Sequence, residues 1–101
     1  MILYHGTSDI FDLSEGAYVL PPDKTGTLPH YEATREERDK IYATSVVSYA
    51  KIYAGRACQA VGGNPVVWEV WIPDELVEIR SDRKGATVYA APCAKVISRV
   101  K

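Results

Sequence analysis

At 101 residues the chain has room for one domain and little more. Its 12 basic and 13 acidic residues leave a formal net charge of -1. That balance excludes a generic nucleic-acid coat and a binder of anionic membrane, both of which need a basic excess, while leaving nucleic acid open as a substrate. No run of about 18 apolar residues is present, so no membrane span is expected. Asp9, Asp12 and Glu15 interrupt the start of the chain too early for a secretory signal. Cys58 and Cys93 have neither C-x-x-C spacing nor clustered histidines, and are expected as reduced thiols in a cytoplasmic protein.

Ile2 to Thr7 reads as a first strand, with Leu3 and His5 on one face and Ile2 and Tyr4 on the other. Asp9 to Gly16 reads as a turn or short helical piece, and Ala17 to Leu20 as a brief strand. Pro21-Pro22 stops regular structure. The stretch from Asp23 to Lys40 is long, polar and rich in Pro, Gly and Thr. It reads either as a lid or binding loop, or as a solvated helix over Glu32 to Lys40.

Ile41-Tyr42-Ala43-Thr44 reads as a strand that hands over to a helix, with Thr44 or Ser45 as N-cap. Val46, Tyr49, Ala50, Tyr53, Ala57 and Ala60 recur at helical spacing, so the helix is expected over Ser45 to Val61, stopped by Gly62-Gly63. Val66 to Ile72 is a strongly β-prone strand with Trp68 and Trp71 on opposite faces, closed by Pro73. Leu76 to Ile79, Thr87 to Tyr89 and Ala94 to Val100 supply further strands. One main helix and a set of strands in this order make an α+β domain.

The sharpest chemical signal is Tyr4-His5-Gly6-Thr7. A histidine at a strand end followed by glycine offers an imidazole and an approachable backbone in one place. On the residues alone it reads first as a strand end with a structural histidine. The set LYHGT, the stretch DLSEGAYVLPP, then DKIYATSVVSYAKIYAGRA, VVWEVWIP and a final VISRV strand resembles the ADP-ribosyltransferase superfamily. More closely, it resembles the rifamycin ADP-ribosyltransferases, over nearly the whole chain.

That resemblance implies two antiparallel sheet segments forming a cleft for NAD, with the main helix packed on one of them. It implies that His5 bonds the adenine-side ribose hydroxyls, that the Gly6 backbone holds the nicotinamide amide, and that Thr7 supports the phosphate or ribose region. Tyr4 belongs to the same motif, and Tyr42 would stack on the nicotinamide ring. Tyr49 and Tyr53 either line the pocket or pack in the core. The oxocarbenium-like transition state asks for a carboxylate. The late strand Ala86-Thr87-Val88-Tyr89 has no acid, unlike the glutamate-bearing branches of the superfamily, and the resemblance to the rifamycin-type enzymes implies instead an aspartate shortly after the strand that Pro73 closes. Asp82 is the first choice, followed by Glu78, with Glu75 and Asp74 behind them.

His30 reads as a loop residue or an acceptor contact, and the run from Arg35 to Lys40 as a solvated face. Arg56, Arg80, Arg83 and Lys84 are available to a pyrophosphate. Neither a metal-ligand cluster nor a Rossmann glycine fingerprint is present. The expected activity is transfer of ADP-ribose from NAD to a protein, nucleic-acid or rifamycin-like acceptor, with release of nicotinamide. The alternatives are an NAD-dependent RNA 2′-phosphotransferase, and a transferase fold that has lost catalysis and serves as a binding or inhibitor protein.

Overall fold

The computed structural model describes residues 1–21, 39–83 and 86–100, with the backbone alone at 82 and 83. The expected lid, with His30 in it, lies outside the described residues except for Asp39 and Lys40, and so does Lys84. The described chain is an α+β domain built on one antiparallel sheet and one main helix. Its strands are β1 (Ile2–Ser8), β2 (Tyr18–Val19), β3 (Ile41–Thr44), β4 (Pro65–Trp71), β5 (Glu78–Arg83), β6 (Ala86–Ala91) and β7 (Ala94–Val100). The helix, α1, is Val47–Val61.

The strand order is β2-β7-β4-β1-β3-β6-β5. Pairing is even between β1 and β4, which match from Ile2↔Trp71 to Ser8↔Pro65. Between β1 and β3 it shrinks to one pair, Tyr4↔Thr44. In place of the two expected sheet segments there is one seven-stranded sheet, whose four-strand and three-strand halves join at that pair.

Alternation along β1 and β4 splits the interior in two. Leu3, Val70, Ile72, Val96, Val19, Ile41 and Ala43 form the larger core on one face, with Trp68 and Tyr89 packed against it. The other face carries α1, whose Ala50 and Ala54 meet Val67, with Tyr4 and Val100 alongside. Trp68 and Trp71 do take opposite faces, and Trp71 is 45% exposed. Alanines dominate the buried stripe of α1 (Ala50, Ala54 and Ala57), so the helix backbone lies close to the sheet. Gly6 is the residue that permits this. A Cβ there would run into the carbonyl oxygen of Ala50 and come within 2.9 Å of the Ala54 nitrogen.

The helix starts later than its capping signals indicate. Val46 occupies the cap position with no side-chain cap bond. Ser45, the expected cap, instead accepts the Thr87 backbone N–H on its Oγ at 3.2 Å, so its hydroxyl serves β6. At the other end Gly62 takes φ 85° and its N–H bonds the Cys58 carbonyl at 2.8 Å, the stop that its sequence indicates. The expected strand at Leu76 to Ile79 is displaced. Asp74–Leu76 is a single 3-10 turn after Pro73, and β5 begins at Glu78. Pairing with β6, not the polar sequence EIRSDR itself, makes that segment a strand.

Candidate active site

The register of four strands fixes where His5, Tyr42 and the acids stand. Antiparallel partners keep a constant sum of residue numbers, so continued β1–β3 pairing would set Gly6 opposite Tyr42. Pairing instead ends at Tyr4↔Thr44. The imidazole Nδ1 of His5 meets the backbone carbonyl of Tyr42 at 2.7 Å. A carbonyl only accepts, so Nδ1 carries the proton and, in the neutral ring, Nε2 carries the lone pair. His5 is thereby held in one tautomer at the point where the two halves of the sheet part.

Tyr42 pairs with Ala90 on β6, and Ala90 pairs with Glu78 on β5. Directly opposed residues share a face, so Tyr42 and Glu78 stand on one side of the sheet with a buried alanine between them. Two strand spacings separate them, about 10 Å. Lys40 Nζ lies 3.1 Å from one Glu78 oxygen and Arg80 lies 3.5 Å from the other. The hydrogen bond from Lys40, then its charge and that of Arg80, hold the Glu78 carboxyl below its ordinary range. Glu78 is thus an ionised carboxylate, exposed, in the row of Tyr42.

The other acids stand elsewhere. Asp82 has its backbone opposite Thr87. Thr87 in turn bonds Ser45, whose N–H donates to the Thr87 carbonyl at 3.2 Å, so Asp82 belongs to the Ser45 end of the sheet. That is three residues along from Tyr42, about 10 Å of strand. Asp74 binds the N-terminal ammonium at 3.0 Å, beside the start of β1, and Glu75 is its exposed neighbour in the 3-10 turn.

Tyr4 packs against Ala50, Ala54 and Val67 beneath the helix. Thr7 is buried on the face of His5. Tyr49 and Tyr53 meet edge-to-face at 5.7 Å, with Arg56 at 5.8 Å from the Tyr53 ring centre, so each ring on α1 has a packing partner. Among the described residues, no group of acids, histidines and cysteines has the arrangement of a metal site.

One residue near His5 is not flagged by sequence patterning. Trp68 pairs directly with His5 across β1 and β4, so the two side chains share a face. Its indole Nε1–H is buried without a hydrogen-bond partner among the described residues. A tryptophan in a β-prone run signals core packing, and only the packed structure reveals the stranded donor.

No family model matches this chain, and no curated protein or solved structure matches it. What the fold and the site define directly is an α+β domain in which the His5 imidazole meets the Tyr42 backbone where β1–β3 pairing stops, with the Glu78 carboxylate in the row of Tyr42 two strands away.

Proposed function

We propose that the chain is an NAD-dependent mono-ADP-ribosyltransferase with the ADP-ribosyltransferase fold. The observation that carries this reading is the His5 Nδ1 to Tyr42 carbonyl bond at the end of β1–β3 pairing, with Glu78 in the row of Tyr42. The parting gives a flat ring a place to enter between the halves of the sheet. Tyr42 supplies an aromatic face for the cationic pyridinium of nicotinamide. In this reading His5, anchored through Nδ1, is the residue that contacts a ribose hydroxyl. The backbone of Gly6 completes the donor end of the site, supported from within by Tyr4 packed beneath α1 and by the buried Thr7.

In the reaction the nicotinamide–ribose bond breaks and its electron pair leaves with nicotinamide. The ribose carbon becomes oxocarbenium-like, and a nucleophilic oxygen or nitrogen of the acceptor bonds to it and gives up its proton. A carboxylate stabilises the positive charge as it develops. Register favours Glu78 for this role over Asp82, and Lys40 keeps it charged. The acceptor is a protein side chain, a nucleic acid or a small-molecule hydroxyl. The two free thiols, Cys58 and Cys93, fit a reducing, cytoplasmic setting.

The test is transfer of labelled ADP-ribose from NAD in a whole-cell lysate, with nicotinamide release measured alongside a Tyr42→Ala control. Wild-type protein should release nicotinamide, and the variant should lose most of that activity while keeping its fold. Absence of nicotinamide release, together with no rise in melting temperature on adding NAD, would sink the reading.

A further inference from the structure

The helix covers only part of its own face of the sheet, packing chiefly on β1 and β4. At the far end of that face, register writes one row across four strands. Ile2 pairs with Trp71, Trp71 with Lys95, and Lys95 with Tyr18. Directly paired residues share a face, and Tyr4 and Val67, which alternate with Ile2 and Trp71, pack beneath α1. The row therefore belongs to the helix-bearing face. Ile2, Trp71 and Tyr18 are each about half exposed, and Ile97, two residues along β7 from Lys95, extends the patch.

An antiparallel sheet can leave one face in water, and that face is then ordinarily polar. This one presents a tryptophan and a tyrosine with an isoleucine on either strand beside them. Contiguous exposed apolar groups mark interaction surfaces, and tryptophan and tyrosine are the residues that anchor them.

The charges within the patch identify its occupant. Glu69 pairs with Tyr4 and Ser98, so it stands on the same face, partly buried. It is the diagonal neighbour of Lys95, about 7–8 Å away. Neither residue has an ion-pair partner among the described residues. One anion and one cation leave the patch without the basic excess that nucleic acid or an anionic membrane needs. Opposite charges at neighbouring points instead make the patch complementary to itself. Trp71 and Glu69 on β4, with Lys95 and Ile97 on β7, stand at the corners of a quadrilateral. A two-fold axis in the plane of contact, along the Trp71–Ile97 diagonal, exchanges the other two corners. Lys95 of each copy then meets Glu69 of the other, while Trp71 and Ile97 each meet their own counterparts.

We propose that the chain associates through this face as a two-fold dimer, with Trp71 and Ile97 at its centre and reciprocal Lys95–Glu69 pairs beside them. Strand order sets the patch on the other side of β1 from Tyr42 and Glu78, so the dimer stands apart from the NAD reading.

The test is sedimentation equilibrium of the full chain across the micromolar range. A concentration-dependent dimer is expected. Lys95→Glu should weaken it by about tenfold or more, because symmetry brings two like-charge contacts together at once. Trp71→Glu should weaken it at least as much, and the exposed Lys95 variant stands in should Trp71→Glu fold poorly. Adding Glu69→Lys to Lys95→Glu should restore the dimer, since the swap rebuilds both pairs with their signs exchanged. A wild-type chain that stays monomeric overturns the proposal. So does a dimer that neither Trp71→Glu nor Lys95→Glu weakens, or a double variant no better than Lys95→Glu alone. A monomer that binds single-stranded DNA, anionic vesicles or another protein through Trp71 would assign the face to that occupant and overturn it as well.

Discussion

The Nδ1 of His5 donates to the backbone carbonyl of Tyr42 at 2.7 Å, linking β1 to β3 where their pairing has stopped. This bond gives His5 a structural job at the seam, beside the ribose contact proposed for it. His5→Asn keeps a short amide donor for Tyr42 and removes Nε2. Its stability should stay within about 1 kcal/mol of wild type, while NAD binding weakens by about 3- to 10-fold, the worth of one neutral hydrogen bond. Thermal melts with and without NAD separate the two effects; unchanged NAD affinity would remove His5 from the donor site.

Glu78 and Asp82 give opposite expectations. Glu78→Gln should lower kcat by about 10²- to 10³-fold, the usual scale for loss of a transition-state electrostatic partner. Asp82→Asn should change it by less than about threefold, the range of a substitution away from the reacting atoms. Nicotinamide release under saturating NAD reads both. The reverse ranking would move the acid to the Ser45 end of the sheet.

Gly6→Ala tests the packing of helix on strand. The added methyl meets the Ala50 carbonyl and the Ala54 nitrogen, both backbone atoms that cannot swing aside. Overpacking of this kind costs about 1–3 kcal/mol or more. A domain of this size should then melt at least 4 °C lower, at about 4–8 °C per kcal/mol. A melting temperature equal to wild type would mean that α1 can ride away from β1.

Trp68→Phe removes a buried donor that has no partner among the described residues. Leaving such a group unsatisfied costs about 1–3 kcal/mol, so its removal offsets much of the loss of indole bulk. Net stability by chemical denaturation should lie within about 1 kcal/mol of wild type. A loss well beyond that would reveal an acceptor for the indole N–H.

Asp9 should show the sign of its charge in an acid melt. Its carboxylate accepts the Asn64 backbone N–H at 2.8 Å and the Asn64 side chain at 3.2 Å. These bonds, the backbone one foremost, hold its carboxyl below the ordinary range. A depressed carboxyl stabilises the fold above its unfolded value, about 3.9, and the contribution is lost as pH falls through the folded value. The melting-temperature gap between wild type and Asp9→Ala should therefore be full at neutral pH and should narrow below about pH 4. A gap that widens on acidification would contradict the assignment.

The elements that sequence patterning resolves are those whose pattern is set by their own packing. The alanine and tyrosine spacing of α1, its glycine stop and the β-branched run of β4 all face a core, and each is visible in the chain. Strand β5 is not, because it lies at the edge of the sheet and owes its shape to β6; its polar residues carry no alternation. The choice among the acids is hidden for a related reason. That Glu78 shares a row with Tyr42 depends on two successive registers, through Ala90, which no local spacing reveals. Gly6 has more than one meaning. In sequence it reads as room for a ligand, and in the fold the space beside its Cα is filled by the backbone of α1.

The meeting of β1 and β3 at one residue pair has a mechanical consequence. A fully laddered sheet is held at such a seam by its backbone bonds, whereas one joined at Tyr4↔Thr44 has few ladder bonds there. The half that carries α1 and the half that carries Glu78 are held together instead by the core that runs beneath both, from Leu3 and Val70 to Ile41, Ala43 and Ala91. The His5–Tyr42 bond is a side-chain tie across the same seam, so a ligand that draws the imidazole away leaves that seam to the core alone.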